Sequence, residues 1–268
     1  MLLKQYKYFL FDLDRTLWDF DLNSKNAIFK LLDKYNICST LGIKPYNDNG
    51  SVNEIFFERY ETINQELWNK YESNIISKET LRIDRFANTF KSFGPSFKNL
   101  IDKKESFHQF CSDFSDEYLE NMVLEKRLIP GTKKVLRAIK KNNGFVAILS
   151  NGFKEVQYRK LKRPGLMPYI DTIVISEEIG IHKPNPLIYK KAIENLLYIE
   201  KKSSNNNIII TENDITEAKK SAIMIGDDFP KDIEGAQVYG IDQFYYNRYA
   251  KPCYGAPTYE SNRLEEIL

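Results

Sequence analysis

Apolar residues follow two different rhythms along this chain. Near the start, Tyr8-Phe9-Leu10-Phe11 run on without interruption and stop at Asp12-Leu13-Asp14. A short continuous apolar run of this kind predicts a strand buried on both faces. From Leu17 to about Leu128 the spacing changes to three and four. Ala27, Ile28, Leu31, Leu32 and Tyr35 share one helix face, as do Val52, Phe56, Tyr60, Ile63, Leu67 and Tyr71. Phe86, Phe90 and Phe93 continue the pattern, then Phe107, Phe110, Phe114 and Tyr118, with Gly94-Pro95 breaking two helices apart. These aromatic stripes predict the core of a helical bundle.

After Leu128 the rhythm alternates. Short apolar runs at 145–149, 170–175, 222–225 and 243–246 predict strands, and helices are expected at 129–141, 153–162, 186–198 and 230–239. Strands alternating with helices of this length indicate βαβ units and a parallel sheet. The first strand needs that sheet to bury it. The fold class expected is therefore α/β, a Rossmann-like parallel sheet core, with an all-α cap inserted after strand one. The expected domains are residues 1–17 with 129–268 for the core and 18–128 for the cap. Hinges are expected near 16–20 and 124–131. Residues 201–220 are polar and predict an exposed loop, with Ile208-Ile209-Ile210 a candidate short strand. Arg82 and Arg85 on a cap helix could reach a substrate, but a solvated helix face is the expectation.

Composition narrows the function classes. Lys+Arg 39 against Asp+Glu 37 leaves +2, too even for a nucleic-acid or membrane surface. No apolar run approaches a spanning helix or a signal sequence, so a cytoplasmic protein is the expectation. Cys38, Cys111 and Cys253 are scattered and odd in number, and they suggest neither a disulfide framework nor a zinc site. With only His108 and His182, a multi-histidine metal site is excluded.

The chemistry lies where the strands end. In an open parallel sheet, ligands bind at the carboxyl ends of strands. Asp12 and Asp14 follow the first strand, Ser150-Asn151-Gly152 the second and Lys183-Pro184 the third. Gly226-Asp227-Asp228, with Asp232 beyond, follows the fourth. Like charges gathered at a buried strand end are costly unless a cation or a proton sits between them. Magnesium prefers hard oxygen ligands, and carboxylates of Asp12 and Asp227 with the Asp14 main-chain carbonyl would supply them. Asp12 could then attack phosphorus as a covalent nucleophile, and Asp14 could serve as acid and base. Ser150, Asn151 and Lys183 are candidate phosphate ligands. Each residue also has a plain reading as a helix cap, a turn residue or a surface lysine.

Taken together, these segments resemble the haloacid dehalogenase (HAD) superfamily of phosphatases. Asp12-Leu13-Asp14-Arg15-Thr16-Leu17 is similar to its DxDxT motif, Ser150 to its second motif and Lys183 to its third. Gly226-Asp227-Asp228-Phe229-Pro230-Lys231-Asp232 is similar to its fourth. The stretch from Ser150 to Tyr189 resembles the YjjG branch of bacterial pyrimidine 5′-nucleotidases. The resemblance implies a magnesium-dependent phosphomonoester hydrolase acting through an aspartyl-phosphate, on a nucleoside 5′-monophosphate of pyrimidine type. It implies a C1-type helical cap, and it gives Asp232 the task of orienting either a metal-bound water or Lys183. Arg15 stands where a small residue is common, and Asp228 where serine is frequent. Asp228 would touch the metal surroundings or cap a helix. A small phosphate monoester is the expected partner, with no nucleic-acid polymer and no membrane, in a monomer or homodimer. The alternatives are a phosphosugar or other small-ester phosphatase or mutase, a C–halogen hydrolase, and a non-catalytic module keeping the fold. Asp14 argues against halide, which leaves without a proton.

Overall fold

The computed structural model describes residues 2–45, 51–101, 106–203, 208–252 and 255–268. Cys253 and residues 204–207 of the polar segment lie outside the described residues. The chain forms two compact units, Met1–Phe20 with Lys126–Leu268, and Asp21–Glu125. In chain order the elements are β1 (Tyr8–Phe11), α1 (Phe20–Lys34), α2 (Ile37–Leu41), α3 (Val52–Glu72), α4 (Lys78–Lys91) and α5 (Phe107–Leu124). Next come α6 (Thr132–Lys141), β2 (Phe145–Ser150), α7 (Lys154–Lys162), β3 (Thr172–Ile175), α8 (Ser176–Ile179) and α9 (Pro186–Ser203). The chain then forms α10 (Glu212–Lys219), β4 (Ala222–Gly226), α11 (Gly235–Tyr239), β5 (Asp242–Tyr246) and β6 (Tyr259–Ser261). One π-helical turn, Phe229–Glu234, leads into α11.

The first unit is built on a parallel sheet in the order β3-β2-β1-β4-β5-β6. All four residues of β1 are buried, which is why its sequence is apolar throughout rather than alternating. It pairs with β2 from Tyr8–Phe145 to Phe11–Ile148, and with β4 from Tyr8–Ala222 to Phe11–Ile225. The strand order runs 1-2-3 to one side of β1 and 4-5-6 to the other, so the topology reverses between β1 and β4. Such a reversal opens a crevice at the carboxyl ends of those strands. Among the described residues, no helix is long and apolar enough to cross a membrane.

The second unit is helical, and its aromatic stripes form its core. Ser77 and Ser106 open α4 and α5, each accepting a main-chain N–H three residues on, at 3.1 Å. Phe86 is fully buried, with ring centroids of Phe114, Tyr60 and Tyr118 at 4.9, 5.2 and 5.3 Å. Phe86→Ala should cost about 3–5 kcal/mol of that unit's stability. Protection of the α4 and α5 amides from hydrogen exchange checks this, and unchanged protection contradicts it. Cys38 and Cys111 are buried free thiols, with pKa values pushed up by burial to about 11 and about 12.

Three expectations need correction. Arg85 does not lie on a solvated face. It is 3% exposed, gives an Nη2 hydrogen bond to Ser115 Oγ at 3.2 Å, and lies against the Phe86 and Tyr118 rings. Those ring faces replace part of its hydration. Arg82, one turn away, is on the surface paired with Asp116. The described part of the 201–220 segment is mostly helical rather than one loop: α9 continues to Ser203 and 212–219 is α10, while 208–211 lie in no helix or strand. Thr211 and Asp214 form a reciprocal capping box there, and Ile215 and Ala218 bury its inner face. Ile208-Ile209-Ile210 forms no strand. Finally, β6 extends the sheet beyond the last expected strand, pairing Phe244–Tyr259 to Tyr246–Ser261.

Candidate active site

Asp12 leaves β1 with its ladder still running, its N–H donating to Ile225 O at 2.9 Å. The next residues turn sharply. Arg15 takes a left-handed φ of 65°, a position costing about 1–3 kcal/mol for a side chain with Cβ. Its N–H is held by Trp18 O at 2.8 Å and its guanidinium stacks 4.6 Å from the Phe20 ring centroid. Thr16, fully buried, donates Oγ1–H to Asp227 Oδ1 at 3.1 Å. The turn after β1 thereby orients a carboxylate at the end of β4.

Carboxylate oxygens of Asp12, Asp227 and Asp232 lie within 4.8 Å of one another. Lys183 enters among them, donating Nζ–H to Asp12 Oδ1 at 2.6 Å and Asp232 Oδ1 at 2.7 Å. Burial pushes the Asp12 pKa up to about 7, with the Lys183 charge opposing and Asp232 and Asp14 adding to the rise. Burial, then the charges of Asp12 and Asp232, hold Asp227 well above the usual carboxylate range. Asp232 is raised by burial against the pull of Lys183. Burial disfavours the Lys183 ammonium, but Asp12 and Asp232 outweigh it and keep the group charged. One ammonium thus serves several clustered carboxylates, a donor set and a charge imbalance that fit a hard divalent cation. Asp232 already spends Oδ1 on Lys183 and Oδ2 on the Asp228 N–H at 3.1 Å. The second oxygens of Asp12 and Asp227 are therefore better placed to bind an ion.

Lys183 is fixed from its main chain as well. Asn151 accepts the Lys183 N–H at 2.9 Å and donates Nδ2–H to its carbonyl at 3.1 Å. The Asn151 amide, expected on phosphate, is spent on this bridge and locks two strand-end loops together. Ser150 Oγ, 2% exposed at the end of β2, accepts N–H from Gly152 at 3.1 Å and from Gln157 Nε2 at 2.6 Å. The Asp228 side chain caps the π-helical turn, accepting Lys231 N–H at 3.1 Å. Gly226 packs so closely on Asp232 that a Cβ there would collide with its carboxylate.

Two residues of α7 join the site without having been foreseen. Gln157 Nε2 also donates to Asp14 Oδ2 at 2.8 Å, and Lys160 Nζ donates to Asp14 Oδ1 at 2.7 Å. Burial pulls the Lys160 pKa down and Asp14 opposes it. The available signal was their spacing of three, which puts two polar groups on one helix face beside buried Val156 and Leu161.

The haloacid dehalogenase-like hydrolase family matches residues 6–240. Pyrimidine 5′-nucleotidase PynA of Streptococcus pneumoniae is 27% identical over 98% of this chain and 94% of its own length. Pyrimidine 5′-nucleotidase YjjG of Escherichia coli is 25% identical over 98% and 96%. Among solved structures, the magnesium-bound HAD-hydrolase YfnB of Bacillus subtilis superposes with a TM-score of 0.72 at 24% identity, covering 98% of this chain and 97% of that one. A 2-haloacid dehalogenase from Pseudomonas syringae shares the fold with a TM-score of 0.57 at 21% identity, over 98% and 97%. With the candidate site at the β1/β4 reversal and the family match running from before β1 through the helical unit to the end of α11, this chain belongs to the haloacid dehalogenase-like hydrolases.

Proposed function

We propose that this chain hydrolyses phosphomonoesters through an aspartyl-phosphate on Asp12, with pyrimidine nucleoside 5′-monophosphates as the favoured substrates. The observation that carries this reading is the clustering of Asp12, Asp227 and Asp232 around Lys183 at the ends of β1 and β4. The substrate class rests on the likeness to PynA and YjjG, both named as pyrimidine 5′-nucleotidases.

Asp12 and Asp227 would hold magnesium, together with the Asp14 main-chain oxygen. When bound, the ion neutralises the carboxylates and the incoming phosphate. An Asp12 oxygen attacks phosphorus in line with the departing oxygen. Asp14 protonates that oxygen, then takes a proton from the water that hydrolyses the aspartyl-phosphate. Lys183, the Ser150 hydroxyl and the Asn151 main-chain N–H bind the phosphoryl oxygens. Asp232 keeps Lys183 aimed at them. In this reading the helical unit is the cap, and the choice of leaving group falls to it.

The test is phosphate release from a panel of nucleotides and sugar phosphates with magnesium. Chelation by EDTA should abolish release, and added magnesium should restore it. Magnesium should also raise the melting temperature, more at pH 8 than at pH 6, because a raised carboxylate pKa makes protons compete with the ion. Full activity in EDTA, or a pH-independent melting shift, overturns the metal assignment.

A further inference from the structure

Asp14 is gripped on both oxygens, and both grips come from α7. Lys160 is 2% exposed, and its ammonium lies 4.6 Å from the Trp18 ring centroid and 5.1 Å from that of Phe20. An ammonium buried this deeply is costly unless it is paired. Its carboxylate partner is Asp14, with Nζ to Oδ1 at 2.7 Å. Gln157, fully buried, places one amide nitrogen between Asp14 Oδ2 at 2.8 Å and Ser150 Oγ at 2.6 Å. Gly152 makes room for it, since a Cβ there would collide with the Gln157 amide.

We propose that Lys160 and Gln157 are positioning residues that fix Asp14 for proton transfer to the leaving oxygen. This rests on the phosphohydrolase reading above. Asp14 sits on a tight turn, where a short carboxylate would otherwise sample several rotamers. One donor on each oxygen leaves it a single orientation. The same amide acts on Ser150. With Gly152 N–H and Gln157 Nε2 both donating to Oγ, the hydroxyl proton must point elsewhere, as donation to a phosphoryl oxygen requires. Gln157 therefore ties the group that binds phosphate to the group that moves the proton.

In the step concerned, the bond from Asp12 oxygen to phosphorus forms as the ester P–O bond breaks. The electron pair goes to the leaving oxygen, which takes the proton from the Asp14 carboxyl. Asp14 is left as the carboxylate that Lys160 and Gln157 hold, ready to accept a proton from water. A mere structural anchor would serve all substrates alike. A positioning role matters most where the leaving oxygen is basic, because a weakly basic one departs without a proton.

The experiment compares kcat/KM for uridine 5′-monophosphate, an alkyl ester, with that for p-nitrophenyl phosphate in wild type, Lys160→Met, Lys160→Arg and Gln157→Met. Lys160→Met should lose about 100-fold on the alkyl ester, within the span of general acid–base catalysis, and distinctly less on the aryl ester. The alkyl-to-aryl ratio should then fall about tenfold or more, with Gln157→Met shifting it the same way and Lys160→Arg recovering much of it. Both activities come from one preparation, so the ratio is unaffected by any misfolded fraction. Equal losses on the two esters, or no loss, overturn the inference while leaving the hydrolase reading in place. A wild-type protein inactive on both esters overturns that reading and this inference with it.

Discussion

Asp12→Asn should abolish phosphate release, by about 10⁴-fold or more, while leaving the metal-free protein more heat-stable above neutral pH. Both effects have one source. Asp12 is the proposed nucleophile, and an amide cannot form the aspartyl-phosphate. Its carboxylate is also held where the fold disfavours its charge, with a pKa pushed up to about 7. The folded state therefore binds a proton that the unfolded state has released between the ordinary carboxylate range and pH 7. Stability contributed by that proton is lost as pH rises through this window. Asparagine never ionises, so the melting-temperature gap between variant and wild type should widen from pH 5 to pH 8. Lys183 keeps Asp232 as a partner in the variant, so no ammonium is stranded. Thermal melts in EDTA with parallel assays check both halves. Substantial turnover in the variant eliminates covalent catalysis by Asp12.

Lys183→Met should cost about 3–5 kcal/mol of stability at pH 8, as expected when one partner of a buried ion pair is removed. It should also lower kcat by about 10²–10³-fold, through loss of a charge aimed at the phosphoryl oxygens. Lys183 has 3% of its side chain exposed and pairs with two buried carboxylates, which the substitution leaves as neighbouring uncompensated charges. Without the ammonium their pKa values rise further, so the folded variant takes up protons more readily. Its stability falls as pH rises through that higher window and recovers as pH is lowered. The deficit against wild type should therefore shrink from pH 8 to pH 5. Adding Asp232→Asn should restore stability but not turnover. Urea titrations at several pH values decide the matter, and a deficit independent of pH contradicts this account.

Much of the site could be read from the chain because strand ends announce themselves. Tyr8-Phe9-Leu10-Phe11 can only be buried, and carboxylates placed straight after such a run need a reason. The same reasoning reached Ser150 and Asp227, each just past an apolar run, and Lys183 in the segment that follows the third. Gln157 and Lys160 are not legible this way because they lie mid-helix among charged neighbours, and their direction is set by contacts with Trp18, Asp14 and Ser150. Arg85 is not legible as buried because charge normally means exposure, yet its guanidinium lies against the Phe86 and Tyr118 rings and uses them as partners. α10 was legible in Thr211 and Asp214, but the polar run before it outweighed the cap. The three residues of β6, with Glu260 exposed, offer no alternation long enough to count.

Placing β1 at the centre of the sheet has a consequence for biosynthesis. Both neighbours of β1 are encoded far downstream, β2 beginning at Phe145 and β4 at Ala222. At about 5–20 residues per second, β1 emerges from the ribosome about ten seconds or more before β4. Meanwhile Asp21–Glu125 is contiguous and rich in local helical contacts, the kind that assemble fast. During translation the helical unit can thus mature while β1, a strand buried along its whole length in the finished fold, stays unpaired and open to chaperones. A circular permutant that begins at Asp21, and so places β1 behind β6, would end that exposure and should raise the soluble yield of the nascent enzyme.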